Sequence, residues 1–210
     1  MNDCKEFFSA YRSTMIALTL CLGMSVVVSG AALAVECTKK MPDYAPSDGP
    51  TFQWGGADLS ADDRADIEDL FSRYAWALDE RNAENFAGLF AKTGRYEVCT
   101  GGGNTQVFTA PANEIETTMQ GEFAALASVF QPRHFLSNTL LRASKTGEDA
   151  LDSKTTMLVT IQRLEGDRVL PEPDYTADVR ATLLRDSDQN WRFNLLVVYA
   201  DTPVFEPMGR

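Results

Sequence analysis

The segment Ile67-Glu-Asp-Leu-Phe-Ser-Arg-Tyr-Ala-Trp-Ala-Leu-Asp-Glu-Arg-Asn82, continued by Phe86-Ala-Gly-Leu-Phe-Ala91 and Gly94-Arg-Tyr96, decides the fold. Ile67, Leu70, Phe71, Tyr74 and Leu78 recur at helical spacing and form one apolar stripe. Ser60 is placed to cap this helix, and Asp62 and Asp63 in its first turn suit the helix dipole. The pattern predicts a helix over 60–81. Asn82 then caps a second, short helix, Ala83 to Ala91, which buries Phe86, Leu89 and Phe90 before Gly94 breaks it.

Downstream, Arg95 to Cys99 and Gln106 to Thr109 read as short strands around the turn Thr100-Gly-Gly-Gly-Asn104. The glycine triplet lacks the Gly-Lys-Ser/Thr ending of a phosphate loop. Pro111 fits the first turn of a third helix running to Phe130, with Ile115, Met119, Phe123, Leu126 and Phe130 as its stripe. After Pro132 the texture changes. His134 to Ala143, Lys154 to Leu164, Tyr175 to Arg185 and Trp191 to Ala200 are β-rich, with short joints, and predict an antiparallel meander. Helices first and strands afterwards imply an α+β fold, three helices packed on one face of a curved, mostly antiparallel sheet.

Upstream, Met1 to Arg12 is polar, Met15 to Val28 is apolar, and small residues end in Ala32-Leu33-Ala34. This is the order of a signal peptide cleaved after Ala34, giving an exported, periplasmic or secreted protein. Asp3 and Glu6 weaken the positive bias, and an uncleaved anchor is the competing reading. Residues 35–58, with Pro42, Pro46, Pro50 and a Gly-Gly pair, read as an extended arm. The domain spans 59–202, and 203–210 is a tail.

The formal net charge is −11, with no basic block to neutralise phosphates. That excludes nucleic acid and anionic membranes as expected partners. Once a signal is removed, Cys37 and Cys99 remain. In an exported protein they suggest one disulfide, with two free thiols as the alternative. A single histidine, His134, excludes a His-rich metal site, and two cysteines with one distant histidine do not make a zinc site.

In this order the motifs resemble those of SnoaL-like domains of the nuclear-transport-factor-2-like superfamily. The family opens with a helix ending in Leu-Asp, a short helix ending in Leu-Phe, and a strand. Arg133-His-Phe-Leu-Ser-Asn138 is similar to its third-strand motif, and Asn190-Trp-Arg-Phe193 to its last-strand motif. The resemblance covers roughly 59–202. It implies a cone-shaped barrel, a curled sheet around helices that encloses one apolar pocket for a small hydrophobic molecule. Members commonly pair through the exposed face of the sheet, which leaves a homodimer open.

Scytalone dehydratase, bile-acid dehydratases and a dehydrochlorinase work in this superfamily by elimination or proton transfer. By position, the resemblance assigns the catalytic roles to His134 and Asp79, with Tyr74 as a third group. It implies a cofactor-independent lyase or isomerase, without metal. A non-catalytic ligand- or partner-binding module is the alternative, because one fold hosts both. Tyr74 and Asp79 are five positions apart, about 140° around a regular helix, so a shared pocket would have to wrap the helix. Asn138 has the strand parity of His134; with Trp76 and Phe193 it makes the candidate substrate-binding set. Alternation places Trp191, Phe193 and Leu195 on one face of the last strand, and Arg192, Asn194 and Leu196 on the other. Asp178 and Arg180 share a face with Thr176 and Thr182 and are expected to pair outside the pocket.

Overall fold

The computed structural model describes residues 59–100, 105–127, 130–144, 147, 149–163 and 170–201. The expected signal peptide with its cleavage after Ala34, the arm 35–58, Cys37, the glycine turn 101–104 and the tail 203–210 lie outside these residues. No described helix is long and apolar enough to cross a membrane.

Among the described residues, three helices, α1 (Ala61–Asp79), α2 (Ala83–Ala87) and α3 (Ala112–Leu126), accompany six strands. The strands are β1 (Phe90–Thr100), β2 (Thr105–Pro111), β3 (Phe130–Ala143), β4 (Ala150–Arg163), β5 (Glu172–Arg185) and β6 (Trp191–Ala200). The sheet order is β2-β1-β6-β5-β4-β3. β3 to β6 form the expected antiparallel meander, and β1 joins it by pairing parallel to β6. β2 and β3 are edges, so the cone is an open sheet and not a closed barrel.

α1 forms as the stripe predicts. Ile67, Leu70, Phe71, Tyr74 and Leu78 are all buried, and α1 packs against β3 and β6. Ser60 Oγ accepts from the Asp63 N–H at 3.0 Å, satisfying a donor that the first turn would leave open. Asp63 also accepts from Trp191 Nε1 at 3.2 Å and from Arg185, tying the start of α1 to the β5–β6 hairpin. The Ser60 bond first, then Trp191 and Arg185, hold the Asp63 carboxyl below its usual range, against partial desolvation. Its folded value is depressed, so its stabilisation is present above the unfolded carboxylate pKa of about 3.9 and is lost as pH falls through the lower folded value. Asp63→Ala is therefore expected to cost about 1–2 kcal/mol in urea unfolding at pH 7. The difference from wild type should shrink in acid; an unchanged gap there would remove the carboxylate from the account.

Several boundaries differ from the sequence reading. α1 ends at Asp79, and Arg81 takes φ 55. α2 stops at Ala87, because the Leu89 carbonyl accepts from the Phe193 N–H at 3.0 Å and Phe90 enters the sheet. Gly94 does not break a helix. It lies inside β1 at an irregularity in the pairing with β6, where a Cβ would sit 2.8 Å from both the Ala91 and Phe193 carbonyl oxygens. Only glycine permits that approach. α3 stops at Leu126, and Phe130 begins β3. β4 starts earlier than expected, at Ala150, because Ala150 and Leu151 are buried against β5.

The helices cover one face of the sheet. Met157, Val159, Ala177, Val179, Leu183, Phe193 and Leu196 share one core with Ile67, Tyr74, Ile115 and Met119. At its centre the rings of Phe71, Tyr74, Phe86, Phe90, Tyr96 and Phe193 meet mainly edge-on or tilted, 5.2–6.5 Å between centroids. Such pairs contribute about 0.5–1.5 kcal/mol each beyond area burial, so this cluster fixes how α1 sits on the sheet.

Candidate active site

Asp79 is the last residue of α1, and α1 ends beside β3, the edge strand. Alternate N–H groups of an edge strand have no strand partner. The free N–H of His134 donates to Asp79 Oδ1 at 3.1 Å, and the same oxygen lies 2.7 Å from His134 Nδ1. A carboxylate only accepts, so Nδ1 carries the proton, and in the neutral ring Nε2 is then the nitrogen with a lone pair. Two donors from one residue onto one oxygen fix the ring's rotamer as well as its tautomer. Both side chains are nearly out of solvent, 10% exposed for His134 and 7% for Asp79.

The join is held from behind. Gln131 Nε2 donates to the Asp79 main-chain oxygen at 2.8 Å. Arg81 in turn donates to Gln131 Oε1 at 3.3 Å and to the Phe130 carbonyl. Arg133 sits 3.8 Å from Asp79 Oδ2 and is half exposed, so its attraction is screened. The left-handed turn at Arg81 swings its side chain back toward β3, and no motif in the sequence announced Gln131.

The other candidates differ from this pair in their surroundings. Tyr74 is fully buried, and its hydroxyl lies 3.5 Å from that of Tyr96. It belongs to the core, as its place in the apolar stripe implies. Burial raises both phenols, that of Tyr96 to about 12, with the Tyr74 hydrogen bond pulling Tyr96 the other way. Trp76 is 59% exposed, two residues and so about 200° from the buried Tyr74 and Leu78. Phe193 is fully buried among Phe71, Tyr74 and Phe90. Asn138 is exposed with φ 58, at a register shift between Ser137 and Leu140. The bulge breaks the alternation that gave Asn138 the parity of His134. A second shift, where Leu183 pairs with Phe193 but Thr182 with Leu195, breaks the alternation of β6. Leu196 and Val198 point inward beyond it, and Leu195 and Val197 outward. Asp178 and Arg180 do pair, at 3.0 Å.

Sequence reasoning missed Tyr175. His134 pairs with Val159, and Val159 with Tyr175, so the three lie in one row across β3, β4 and β5. Strand spacing puts His134 and Tyr175 on the order of 10 Å apart. Tyr175 is half-buried, and its phenol is raised first by burial, then by Tyr96 and Asp174. Asp174 is itself raised by desolvation and Glu172, while Arg163 and His134 pull it down. The signal available in the sequence was a tyrosine on a strand next to an acidic residue, which is too common to single out. An open groove of about 520 Å³ runs between the α1–α2 turn and α3; Glu80, Arg81, Gln120 and Phe123 line it, and neither Asp79 nor His134 does.

Comparison with known proteins bears on the fold. No curated protein matches the chain. Among solved structures, ActVI-ORFA from Streptomyces coelicolor is 20% identical, with a TM-score of 0.54 over 66% of this chain and 96% of that one. An NTF2-like protein with a cystatin-like fold from Novosphingobium aromaticivorans is 21% identical, with a TM-score of 0.51 over 66% and 82%. The beta subunit of a putative aromatic-ring-hydroxylating dioxygenase from the same organism is 16% identical, with a TM-score of 0.53 over 66% and 89%. At these identities the likeness is one of fold. The SnoaL-like domain model matches residues 60–197, from the cap of α1 into β6. With its helices, its six-stranded sheet and that match over most of the chain, the protein belongs to the SnoaL-like domain family.

Proposed function

We propose that the protein is a cofactor-independent lyase or isomerase acting on a small, largely apolar molecule. The observation that carries this reading is the 2.7 Å contact between Asp79 Oδ1 and His134 Nδ1, which leaves Nε2 as a base. Asp79 holds the tautomer and stabilises the imidazolium once formed. In a dehydration, Nε2 takes a proton from carbon, the neighbouring C–O bond breaks, and the departing hydroxyl leaves as water with the proton returned by the imidazolium. In an isomerisation the same proton returns to another carbon. Tyr175 is the phenol that supports this chemistry, by donating a hydrogen bond to the substrate oxygen on which charge develops.

The test is to incubate the protein with hydroxylated cyclic compounds in D2O, following loss of water and deuterium uptake by mass spectrometry. If calorimetry shows binding of a compound that undergoes neither, the proposal fails. The second reading, a non-catalytic binding module, then takes its place; it is favoured already by the loss of Tyr74 to the core. Within an active protein, Tyr175→Phe is expected to lower kcat/KM about 10²- to 10³-fold, the range for one hydrogen-bond donor to a developing oxyanion. Tyr74→Phe should leave turnover unchanged and cost only about 1 kcal/mol of stability. The reverse ranking would return the role to Tyr74.

A further inference from the structure

The outer face of the sheet carries a burial that its described neighbours do not explain. On that face Cys99 and Val197 are fully buried and Glu97 is 1% exposed, and Leu195 and Tyr199 pack against the first two. These residues form a cluster separate from the core that the helices cover. The cover is local, because Phe135 and Leu158, register partners on the outer face of β3 and β4, are 56% and 38% exposed. What is covered is a strip that runs along β1 and β6 and reaches the outer-face row of Thr182, Asp152 and Arg142 on β5, β4 and β3.

We propose that this strip is the docking surface of the chain's own segment 35–58, stapled there by a Cys37–Cys99 disulfide. The point of departure fits. Residue 59 lies two positions before α1, whose Asp63 is bonded to Trp191 at the start of β6. Cys99 pairs in register with Tyr199, near the other end of β6. From Trp191 to Tyr199 is about 27 Å at strand rise, which about nine extended residues span, and Cys37 lies well beyond that distance before Leu59. The composition fits as well. Tyr44, Phe52 and Trp54 can cover Leu195, Val197 and Tyr199, and three prolines suit an extended run that needs no ladder bonds. Glu36, Asp43, Asp48 and Asp58 outnumber Lys39 and Lys40, facing a strip bordered by Arg95 and Arg180. This docking is independent of the proposed chemistry at His134.

The experiment uses the full chain as exported. Peptide mapping without reductant is expected to yield one linked peptide pair containing Cys37 and Cys99. Alkylation of both cysteines in denaturant, or a link between two chains, overturns the staple. Trypsin should cut after Lys39 and Lys40 slowly in wild type and at least tenfold faster in Val197→Lys. Cys37→Ser, which leaves the sheet untouched, should show the same acceleration and covers the case in which V197K fails to fold. Equal cleavage rates in wild type and C37S overturn the docking. So does light scattering that finds a wild-type dimer which V197K converts to a monomer, because a second copy then occupies the strip.

Discussion

His134→Ala is expected to lower kcat about 10²- to 10⁴-fold with little change in KM, the range for loss of a general base. The side chain is nearly buried at the end of α1, and its replacement removes the only imidazole in the chain. Asp79→Asn should show a similar or somewhat smaller loss. An amide oxygen can still accept from the His134 main-chain N–H, but it cannot stabilise the imidazolium. If the two act as one unit, the double variant will be no worse than His134→Ala alone. Multiplying losses would mean that Asp79 works by another route. Turnover equal to wild type in both single variants would end the catalytic reading. The variants stay interpretable as long as unfolding shows the sheet intact. The Gln131 and Arg81 contacts at the end of α1 run to main-chain groups and to each other, so neither substitution removes them.

The largest stability effect is expected at the other end of β3 and β4. Arg142 donates to Asp152 Oδ2 through two nitrogens, at 3.0 and 3.3 Å. Ser144 and Thr182 donate to Oδ1, at 2.8 and 3.3 Å. The pair is close to fully buried, at 10% and 7% side-chain exposure. Asp152→Ala would take the carboxylate away from a buried guanidinium and is expected to cost about 3–5 kcal/mol, read as a lower urea midpoint with unchanged slope. Replacing both residues by apolar ones of similar volume should recover most of that, because a buried charge that has lost its carboxylate, and not loss of the pair, is what destabilises. If the double variant is as unstable as Asp152→Ala, the Ser144 and Thr182 bonds carry the stability instead.

Much of this architecture was legible in the chain, for reasons that can be named. Ile67, Leu70, Phe71, Tyr74 and Leu78 are local, periodic and apolar, and all are buried where the period puts them. Ser60 caps α1 because capping depends on a hydroxyl only three residues from its donor. The same locality explains the errors. Strand alternation failed at Asn138 and beyond Phe193 because each stands at a bulge, and a bulge depends on the partner strand. Gly94 read as a helix breaker because one of the two carbonyls that make glycine necessary comes from Phe193, far along the chain.

The site divides along the same line. By itself the sequence determined that any imidazole chemistry must run through His134, since there is no second histidine. It also placed Asp79 near the end of a helix, and the family resemblance implied that these two residues work together. Only the tertiary structure decided the rest. It gave one oxygen of Asp79 both the main-chain N–H and Nδ1 of His134, because β3 is an edge strand with donors to spare. It set Tyr175 in the row of His134, since rows across a sheet are fixed by strand register, which no single strand's sequence contains.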